Sequence, residues 1–205
     1  MNTYVFDQGW QKERDRLAGI ESSFDSYSTQ PLADLGVSDG WQCLEVGFGA
    51  GGVALWLAGQ VGSTGRGWQA VGIDYVPAAI EAAQAKSTGV AGLSYIAGDV
   101  TRLPSARLGT FDFFLDIGCF QGLDAGQRLS QGEGVSALAN PGATLLLLSF
   151  GPSRWRWLVE GASQEEVQSA FAGWEMLASE PAGTAGLGWP MNKTAPRWYR
   201  LRRSA

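Results

Sequence analysis

A glycine-rich turn between a short apolar strand and a helix constrains the fold of this chain more than any other feature. Residues 42–46 can form a buried strand, and residues 53–57 continue as a helix. Between these two segments lie Gly47, Gly49, Gly51 and Gly52. Glycine lets the turn close and lets a ligand approach the backbone, while the first turn of a helix offers N–H groups without a helical partner. The segment therefore predicts an α/β fold with a ligand at the end of the first strand.

Short apolar runs alternate with helical segments over the rest of the chain, as in a parallel α/β sheet. Strands are predicted at 42–46, 69–73, 93–97, 111–116, 143–150, 174–179 and 197–202. Helices are predicted at 51–59, 77–87, 124–139 and 163–172. The third helix is expected to be broken or to start late, because Gly126, Gly132 and Gly134 each cost up to about 1 kcal/mol relative to alanine. The last two strands have no crossover helix between them, so we expect them to pair antiparallel.

The chain length of 205 residues is consistent with one domain, since domains ordinarily hold roughly 100–200 residues. We predict a single domain over residues 1–205, with an N-terminal helical cap at 1–38 and a core at 39–205. One stripe of a predicted amphipathic helix at 8–24 holds Trp10, Leu17, Ile20 and Phe24. This helix either packs on the core or covers a ligand as a lid.

The chain is acidic, with 20 Asp and Glu residues against 15 Lys and Arg residues and a net charge of −5. This balance disfavours a phosphate backbone as partner, so we expect no nucleic acid. The 2 cysteines form neither a disulfide framework nor a metal-binding pattern. No apolar run approaches the roughly 20 residues that span a bilayer. We therefore expect a cytoplasmic protein without a membrane anchor, as a monomer or a homodimer.

The sequence contains no histidine. Histidine is the most common general base and the most common metal ligand in proteins. Ser-His-Asp, Cys-His and histidine–metal chemistry are therefore excluded, and we predict no metal site.

Carboxylates lie at or near the carboxyl ends of the first three predicted strands, at Glu45, Asp74 and Asp99. Open α/β sheets bind their ligands at this edge. Glu45 would attract a cationic group and repel a pyrophosphate, and Asp74 can accept hydrogen bonds from both ribose hydroxyls. The glycines alone also satisfy the dinucleotide pattern G-x-G-x-x-G, so they do not exclude NAD. Each carboxylate could instead end a strand in solvent or cap the next helix.

On these residues the sequence resembles the class I S-adenosylmethionine-dependent methyltransferases over about residues 38–150. The matching motifs are Glu45 to Gly51, Asp74 at the end of the second strand, and Gly98-Asp99 after the third. The resemblance implies a Rossmann-like, doubly wound α/β sheet of seven strands in the order 3-2-1-4-5-7-6, with the last strand antiparallel. It also implies S-adenosylmethionine as cofactor and S-adenosylhomocysteine as product. The cofactor-binding residues that it implies are Glu45, Gly47, Gly49, Gly51, Asp74, Tyr75, Asp99, Val100 and Asp116.

The fourth predicted strand runs from Phe111 into Asp116 and on to Gln121, where a substrate would meet the methyl group. This segment looks similar to small-molecule branches such as the thiopurine and tellurite-resistance methyltransferases, in which a Cys-Phe-His stretch often stands at this point. Here Cys119 and Phe120 are followed by Gln121 instead of histidine. An amide can orient a nucleophile but cannot take its proton at neutral pH. We predict Asp116 and Gln121 as catalytic residues on this basis.

A sulfonium methyl group needs no further activation, so the main task of the protein is to hold the reacting atoms in line at about 3–3.5 Å. We therefore expect transfer to sulfur, nitrogen or an acidic oxygen of a small, aromatic or heterocyclic molecule. The predicted substrate-binding residues are Phe120, Trp155, Trp157 and Trp189, whose rings could stack on such a molecule or pack on the core instead. Cys119 is interpreted as a small buried residue and not as a nucleophile.

Two other function classes stay open from the sequence. A non-methylating enzyme with the same cofactor, of the cyclase type, is compatible with Gln121 in place of a base. An NAD oxidoreductase or a binding module without catalysis would use the same fold. The chain contains no Tyr-x-x-x-Lys pair, which argues against a short-chain dehydrogenase.

Overall fold

The computed structural model describes residue 32 and residues 40–49, 51–61, 69–151, 161–184 and 193–204. The predicted helix at 8–24 and the predicted substrate residues Trp155, Trp157 and Trp189 lie outside these described residues. Leu32 is described and is fully buried in the cluster that also holds Cys43 and Leu57. The segment before the first strand therefore contributes at least one side chain to the core.

Seven strands form one sheet in the order β3-β2-β1-β4-β5-β7-β6. The strands are β1 (Gln42–Val46), β2 (Gln69–Asp74), β3 (Leu93–Ala97), β4 (Phe111–Ile117), β5 (Ala139–Ser149), β6 (Trp174–Pro181) and β7 (Arg197–Arg203). All neighbouring pairs are parallel except that β7 runs antiparallel to both β5 and β6. The predicted fold class, strand order and antiparallel last strand are confirmed.

Four α-helices connect the strands within the described residues: α1 (Gly52–Val61), α2 (Pro77–Lys86), α3 (Ala125–Leu138) and α4 (Gln164–Ala170). Two short 3₁₀ helices, Val100–Ala106 and Phe120–Gly122, follow β3 and β4. Each α-helix lies within a few residues of its predicted position. The proline at the start of α2 has no N–H to leave unpaired in the first turn, as the sequence predicts.

The prediction that α3 is broken or starts late is wrong. Asp124 accepts a hydrogen bond from Gln127 N–H at 2.8 Å while the Gln127 amide oxygen accepts from Asp124 N–H at 3.0 Å, so a capping box starts the helix. A Cβ built on Gly132 would overlap the carbonyl oxygen of Ala170 at the end of α4. Glycine here allows two helices to meet at backbone distance, and this packing outweighs its poor helix propensity.

The sheet is buried on both faces. On one face Phe114, Val135 of α3 and Phe171 after α4 belong to one apolar cluster. On the other face Phe113 and Leu115 pack in a second cluster with α1. Alternate residues of β4 thus point into opposite clusters, as a doubly wound sheet requires. None of the helices in the described ranges has the length and apolar character needed to cross a membrane.

Candidate active site

The turn after β1 is shaped by glycine. Gly47, Gly49 and Gly51 all have positive φ, at 68°, 56° and 78°. A Cβ on Gly47 would also lie 2.6 Å from the Cβ of Cys119, so no side chain fits between this turn and the loop after β4. Gly47 therefore brings the carboxyl ends of β1 and β4 into contact.

Asp74 holds this turn in place. Its Oδ2 accepts a hydrogen bond from Gly49 N–H at 3.0 Å, and its Oδ1 accepts from Val76 N–H at 2.9 Å. The carboxylate is buried and thus links the glycine turn to the residues that lead into α2. Tyr75 follows directly and leaves 53% of its surface exposed at this edge. Predicted cofactor residues from β1 and β2 are thereby adjacent.

The ends of β1 and β3 add two further carboxylates to this edge. Glu45 is buried near the end of β1. Asp99 Oδ1 accepts hydrogen bonds from Thr101 N–H at 2.9 Å and Thr101 Oγ–H at 2.6 Å, so Asp99 caps the following 3₁₀ helix. Each carboxylate oxygen has more than one lone pair, so a capping carboxylate can still accept from a ligand. The Val100 side chain packs in the core, which leaves only its backbone for the predicted cofactor contact.

The ends of β1, β2 and β3 with the turns that follow them form one half of the carboxyl edge, called here the β1–β3 side. Its hydrogen-bonding groups fit a cationic nucleoside better than a pyrophosphate. The N–H groups of Gly47, Gly49 and Gly51 already donate within the protein, to Ile73 O, to Asp74 and to Phe48 O. A dinucleotide site would need such groups for phosphate oxygens. Carboxylates at three strand ends instead offer acceptors for ribose hydroxyls, an amino group and a positive charge. The residues present therefore fit S-adenosylmethionine.

Cys119 lies in the loop after β4, directly against Gly47 of the turn after β1. Burial raises the pKa of its thiol well above the ordinary value, and the negative charges of Asp116, Asp74 and Asp99 raise it further. The thiol is therefore protonated at neutral pH and is not a nucleophile, because the thiolate is the reactive form. Asp74 of β2, Asp99 after β3 and Asp116 of β4 thus all lie within electrostatic reach of the Cys119 thiol.

Asp116 is 1% exposed at the end of β4. Its Oδ1 accepts from Cys119 N–H at 2.9 Å and Phe120 N–H at 3.2 Å, and its Oδ2 accepts from Gln131 Nε2 at 2.7 Å. Burial raises the pKa of this carboxyl to about 6, although these hydrogen bonds pull it down. Asp116 thus holds the loop after β4 and presents no open face to a substrate, in contrast to its predicted catalytic role.

Gln121 connects the loop after β4 to the end of β5. Its amide oxygen accepts a hydrogen bond from Phe150 N–H. Because a backbone N–H can only donate, the atom that faces it must be the oxygen, and the NH₂ group must face the other way. The predicted site residue Gln121 therefore presents hydrogen-bond donors at the edge between β4 and β5.

Phe120 does not have the predicted place in a substrate wall. Its side chain is fully buried, and its ring lies 5.7 Å from that of Phe171, centroid to centroid. The 3₁₀ turn after β4 points this ring into the core, so it has no surface to offer a ligand. Trp155, Trp157 and Trp189 are outside the described residues, and their predicted roles remain predictions.

The ends of β4 and β5 with the loops that follow them form the other half of the carboxyl edge, called here the β4–β5 side. Sequence reasoning missed two polar residues of α3 that shape it. Arg128 and Gln131 are both buried, and they hydrogen bond to the loop after β4 and to Asp116. A signal was present, because residues 128, 131, 135 and 138 form one helical stripe with Val135 and Leu138 in the core. Polar residues on a buried stripe require buried partners.

These features define an α/β fold whose carboxyl edge offers carboxylate acceptors suited to a small cationic nucleoside. Residues 43–142 match the methyltransferase domain family. No curated protein sequence matches this chain. The matched residues include the glycine turn and the carboxylates Glu45, Asp74 and Asp99, so the site described above lies within the segment that matches a methyltransferase domain, and its residues fit S-adenosylmethionine as cofactor.

Several solved methyltransferase structures share this fold. An S-adenosylmethionine-dependent methyltransferase from Aquifex aeolicus has a TM-score of 0.70 and 22% identity, covering 96% of this chain and 98% of that chain. An N-methyltransferase from Bradyrhizobium japonicum in complex with S-adenosylhomocysteine has a TM-score of 0.67 and 20% identity, covering 98% and 94%. The magnesium protoporphyrin IX methyltransferase of Synechocystis with bound S-adenosylmethionine has a TM-score of 0.65 and 18% identity, covering 100% and 86%.

Proposed function

We propose that this enzyme transfers a methyl group to a sulfur, a nitrogen or an acidic oxygen of a small molecule, by positioning and without a general base. The observation that carries the proposal is the fixed amide of Gln121, whose oxygen accepts from Phe150 N–H so that its NH₂ group faces the other way, at the position where the sequence predicts that the substrate meets the methyl group. Bound S-adenosylmethionine would supply an electrophilic sulfonium methyl. Glu45, Asp74, Tyr75 and Asp99 would hold it against the glycine turn.

The two candidate catalytic groups of the β4–β5 side cannot take a proton from an alcohol. The Gln121 amide is not basic at neutral pH, and Asp116 is enclosed by its own hydrogen bonds. An acceptor must therefore bring a lone pair that is already reactive, as in a thiolate, an amine, a heteroaromatic nitrogen or an acidic phenol. Alignment alone can contribute on the order of 7–11 kcal/mol to such a reaction.

The acceptor is further proposed to be aromatic or heterocyclic. Trp155, Trp157 and Trp189 would provide stacking surfaces for such a ring. Gly151 and Gly161 are in contact at the end of β5, where a Cβ built on Gly161 would lie 2.3 Å from the carbonyl oxygen of Gly151. The protein from Synechocystis is a methyltransferase of magnesium protoporphyrin IX, a heterocyclic molecule, and the protein from Bradyrhizobium is an N-methyltransferase, which supports this class. A cytoplasmic location and a monomeric or homodimeric state, without nucleic acid, are part of the same proposal.

A labelled-methyl assay tests the proposal. The purified chain is incubated with methyl-labelled S-adenosylmethionine and a panel of aromatic thiols, amines, N-heterocycles, phenols of graded acidity and plain alcohols. We expect label in thiols, amines, heterocycles or acidic phenols, with rates that rise as phenol acidity rises. Transfer to plain alcohols at comparable rates, or to no small molecule of the panel, would contradict it.

The missing base also favours a second candidate, a non-methylating enzyme of the cyclase type with the same cofactor. Mass spectrometry of the product separates the two. A product heavier by one methyl group supports methyl transfer, and a converted product with an unchanged methyl count supports the alternative.

A further inference from the structure

Arg128 occupies an unusual place for a positive charge. It lies in the first turns of α3, only 6% exposed, near a helix end whose dipole disfavours cations. A buried arginine at such a position needs several acceptors to offset the loss of water. Side chains of a helix lean toward its N-terminus, so Arg128 reaches back over the loop that precedes α3.

The guanidinium group of Arg128 joins two loops. Its Nε donates to Phe120 O at 3.2 Å and one Nη donates to Gln121 O at 2.8 Å, both in the loop after β4. The same Nη donates to Gly161 O at 3.3 Å, where the chain returns to the end of β5. The other Nη donates to Glu166 Oε1 of α4 at 2.8 Å. Four of its five donors are thus engaged.

These contacts close a ring of hydrogen bonds around Gln121. Arg128 holds the Gln121 backbone, and Phe150 N–H holds the Gln121 side chain. Phe150 O in turn accepts from Ala162 N–H at 2.8 Å, next to the Gly161 carbonyl that Arg128 also binds. All of these hydrogen bonds lie on the β4–β5 side of the edge.

We propose that Arg128 is a positioning residue for methyl transfer. It fixes the spacing between the loops after β4 and β5, and it thereby aims the Gln121 amide at the acceptor. It does not act on the cofactor. The role at the acceptor rests on the proposed function, whereas the coupling of the two loops stands on the geometry alone.

The test compares Arg128→Lys with Glu166→Gln. Lysine keeps the positive charge but lacks the planar guanidinium group that bridges three carbonyl oxygens. The ring of hydrogen bonds around Gln121 should therefore be broken. The Glu166→Gln control removes the ion pair, whose Glu166 end is 40% exposed, and leaves the three carbonyl contacts intact, while the remaining amide oxygen can keep the capping-box hydrogen bond from Ser163 N–H. Hydrogen exchange is followed for segments 117–123 and 161–163 and for the glycine turn. S-adenosylhomocysteine affinity is measured by calorimetry.

For Arg128→Lys we expect faster exchange in both loops, unchanged exchange in the glycine turn, and S-adenosylhomocysteine affinity within about twofold of wild type. With 4-nitrobenzenethiol as the acceptor probe, we expect kcat/KM for the thiol to fall by about tenfold or more, as misplacement of reacting groups does. The KM for S-adenosylmethionine should stay constant, and Glu166→Gln should resemble wild type.

Exchange that rises in only one of the two loops would overturn the proposal, as would a parallel loss of S-adenosylhomocysteine affinity. An unchanged kcat/KM for the thiol in Arg128→Lys would overturn the role at the acceptor. If wild type does not methylate the thiol probe, the proposed function fails for that acceptor class, while hydrogen exchange still decides the coupling of the loops.

Discussion

The two halves of the carboxyl edge are built in different ways. On the β1–β3 side, backbone N–H groups meet carboxylates at strand ends, as in the bonds from Gly49 and Val76 to Asp74. On the β4–β5 side, Asp116 also accepts from backbone N–H groups, but side chains of α3 and α4 are added to it, as Gln131 meets Asp116 and Arg128 meets Glu166. The first half depends on motifs of a few residues. The second depends on how α3 and α4 pack.

This difference suggests a division of labour. A common cofactor can be held by a constant turn, because its shape is the same in every enzyme that uses it. An acceptor differs from enzyme to enzyme, so its side is assembled from variable helices and loops. Changes on one side should therefore leave the other side largely intact.

The largest expected effect is the loss of cofactor binding in Asp74→Ala. The variant removes two hydrogen bonds from backbone N–H groups to a carboxylate, each worth about 1.5–3 kcal/mol. We expect S-adenosylmethionine affinity to fall by roughly 100-fold or more in calorimetry. The matched control is Asp112→Ala at the opposite edge, where Asp112 accepts from Gln42 N–H and Asn140. A similar loss of affinity in both variants would remove the special role of Asp74.

Next in size is the destabilisation caused by Gly132→Ala. The new methyl group would collide with the carbonyl of Ala170 and push α3 away from α4. Overpacking of this kind costs about 1–3 kcal/mol in the free energy of unfolding. Gly126→Ala is the control, because Gly126 is exposed on the same helix and alanine there should stabilise by up to about 1 kcal/mol. Equal denaturation midpoints for the two variants would show that the helices do not meet as described.

The topology could be predicted because it follows from local patterns. The glycine turn, the alternation of strands and helices, and the absent crossover before β7 each lie within a short stretch. Gly132 shows the limit of such reasoning, since its effect on α3 depends on Ala170, which lies far along the chain. Arg128 and Gln131 show the same limit at the site, because their partners belong to the loop after β4. The placement of Phe120 failed for a related reason, since only the turn geometry decides which way its ring points.

A pH-dependent effect is expected from Asp116. Its pKa is raised from 3.8 to about 6, so between these values the folded state binds a proton that the unfolded state has lost. The contribution of this group to stability is therefore full below pH 4 and declines as pH rises through 6. Asp116→Asn keeps the hydrogen bonds from Cys119 and Phe120, and a flipped Gln131 amide could accept from the new NH₂ group. At pH 8 we expect the free energy of unfolding of Asp116→Asn to exceed that of wild type by on the order of 2 kcal/mol.

Urea unfolding of Asp116→Asn and wild type at pH 4, 6 and 8 checks this expectation. The two stability curves should meet near pH 4 and separate as pH rises. Gln131→Leu, which removes one donor to the carboxylate, should make the wild-type decline steeper. Curves that stay parallel from pH 4 to pH 8 would show that Asp116 is not protonated in the folded state.

The smallest expected effect comes from Gln121→Glu, which changes the β4–β5 side without disturbing the fold. One carboxylate oxygen can still accept from Phe150 N–H, so stability should change little. The other oxygen would then face the acceptor in place of the NH₂ group and would repel a thiolate. We expect kcat/KM for 4-nitrobenzenethiol to fall by about tenfold, or roughly 1.4 kcal/mol, with S-adenosylmethionine affinity unchanged. Gln127→Glu is the matched control, because its oxygen also accepts a backbone N–H, that of Asp124, but in the capping box of α3. A faster reaction of Gln121→Glu with the thiol would mean that the native amide does not donate to the acceptor, and the β4–β5 side would then need another group to orient it.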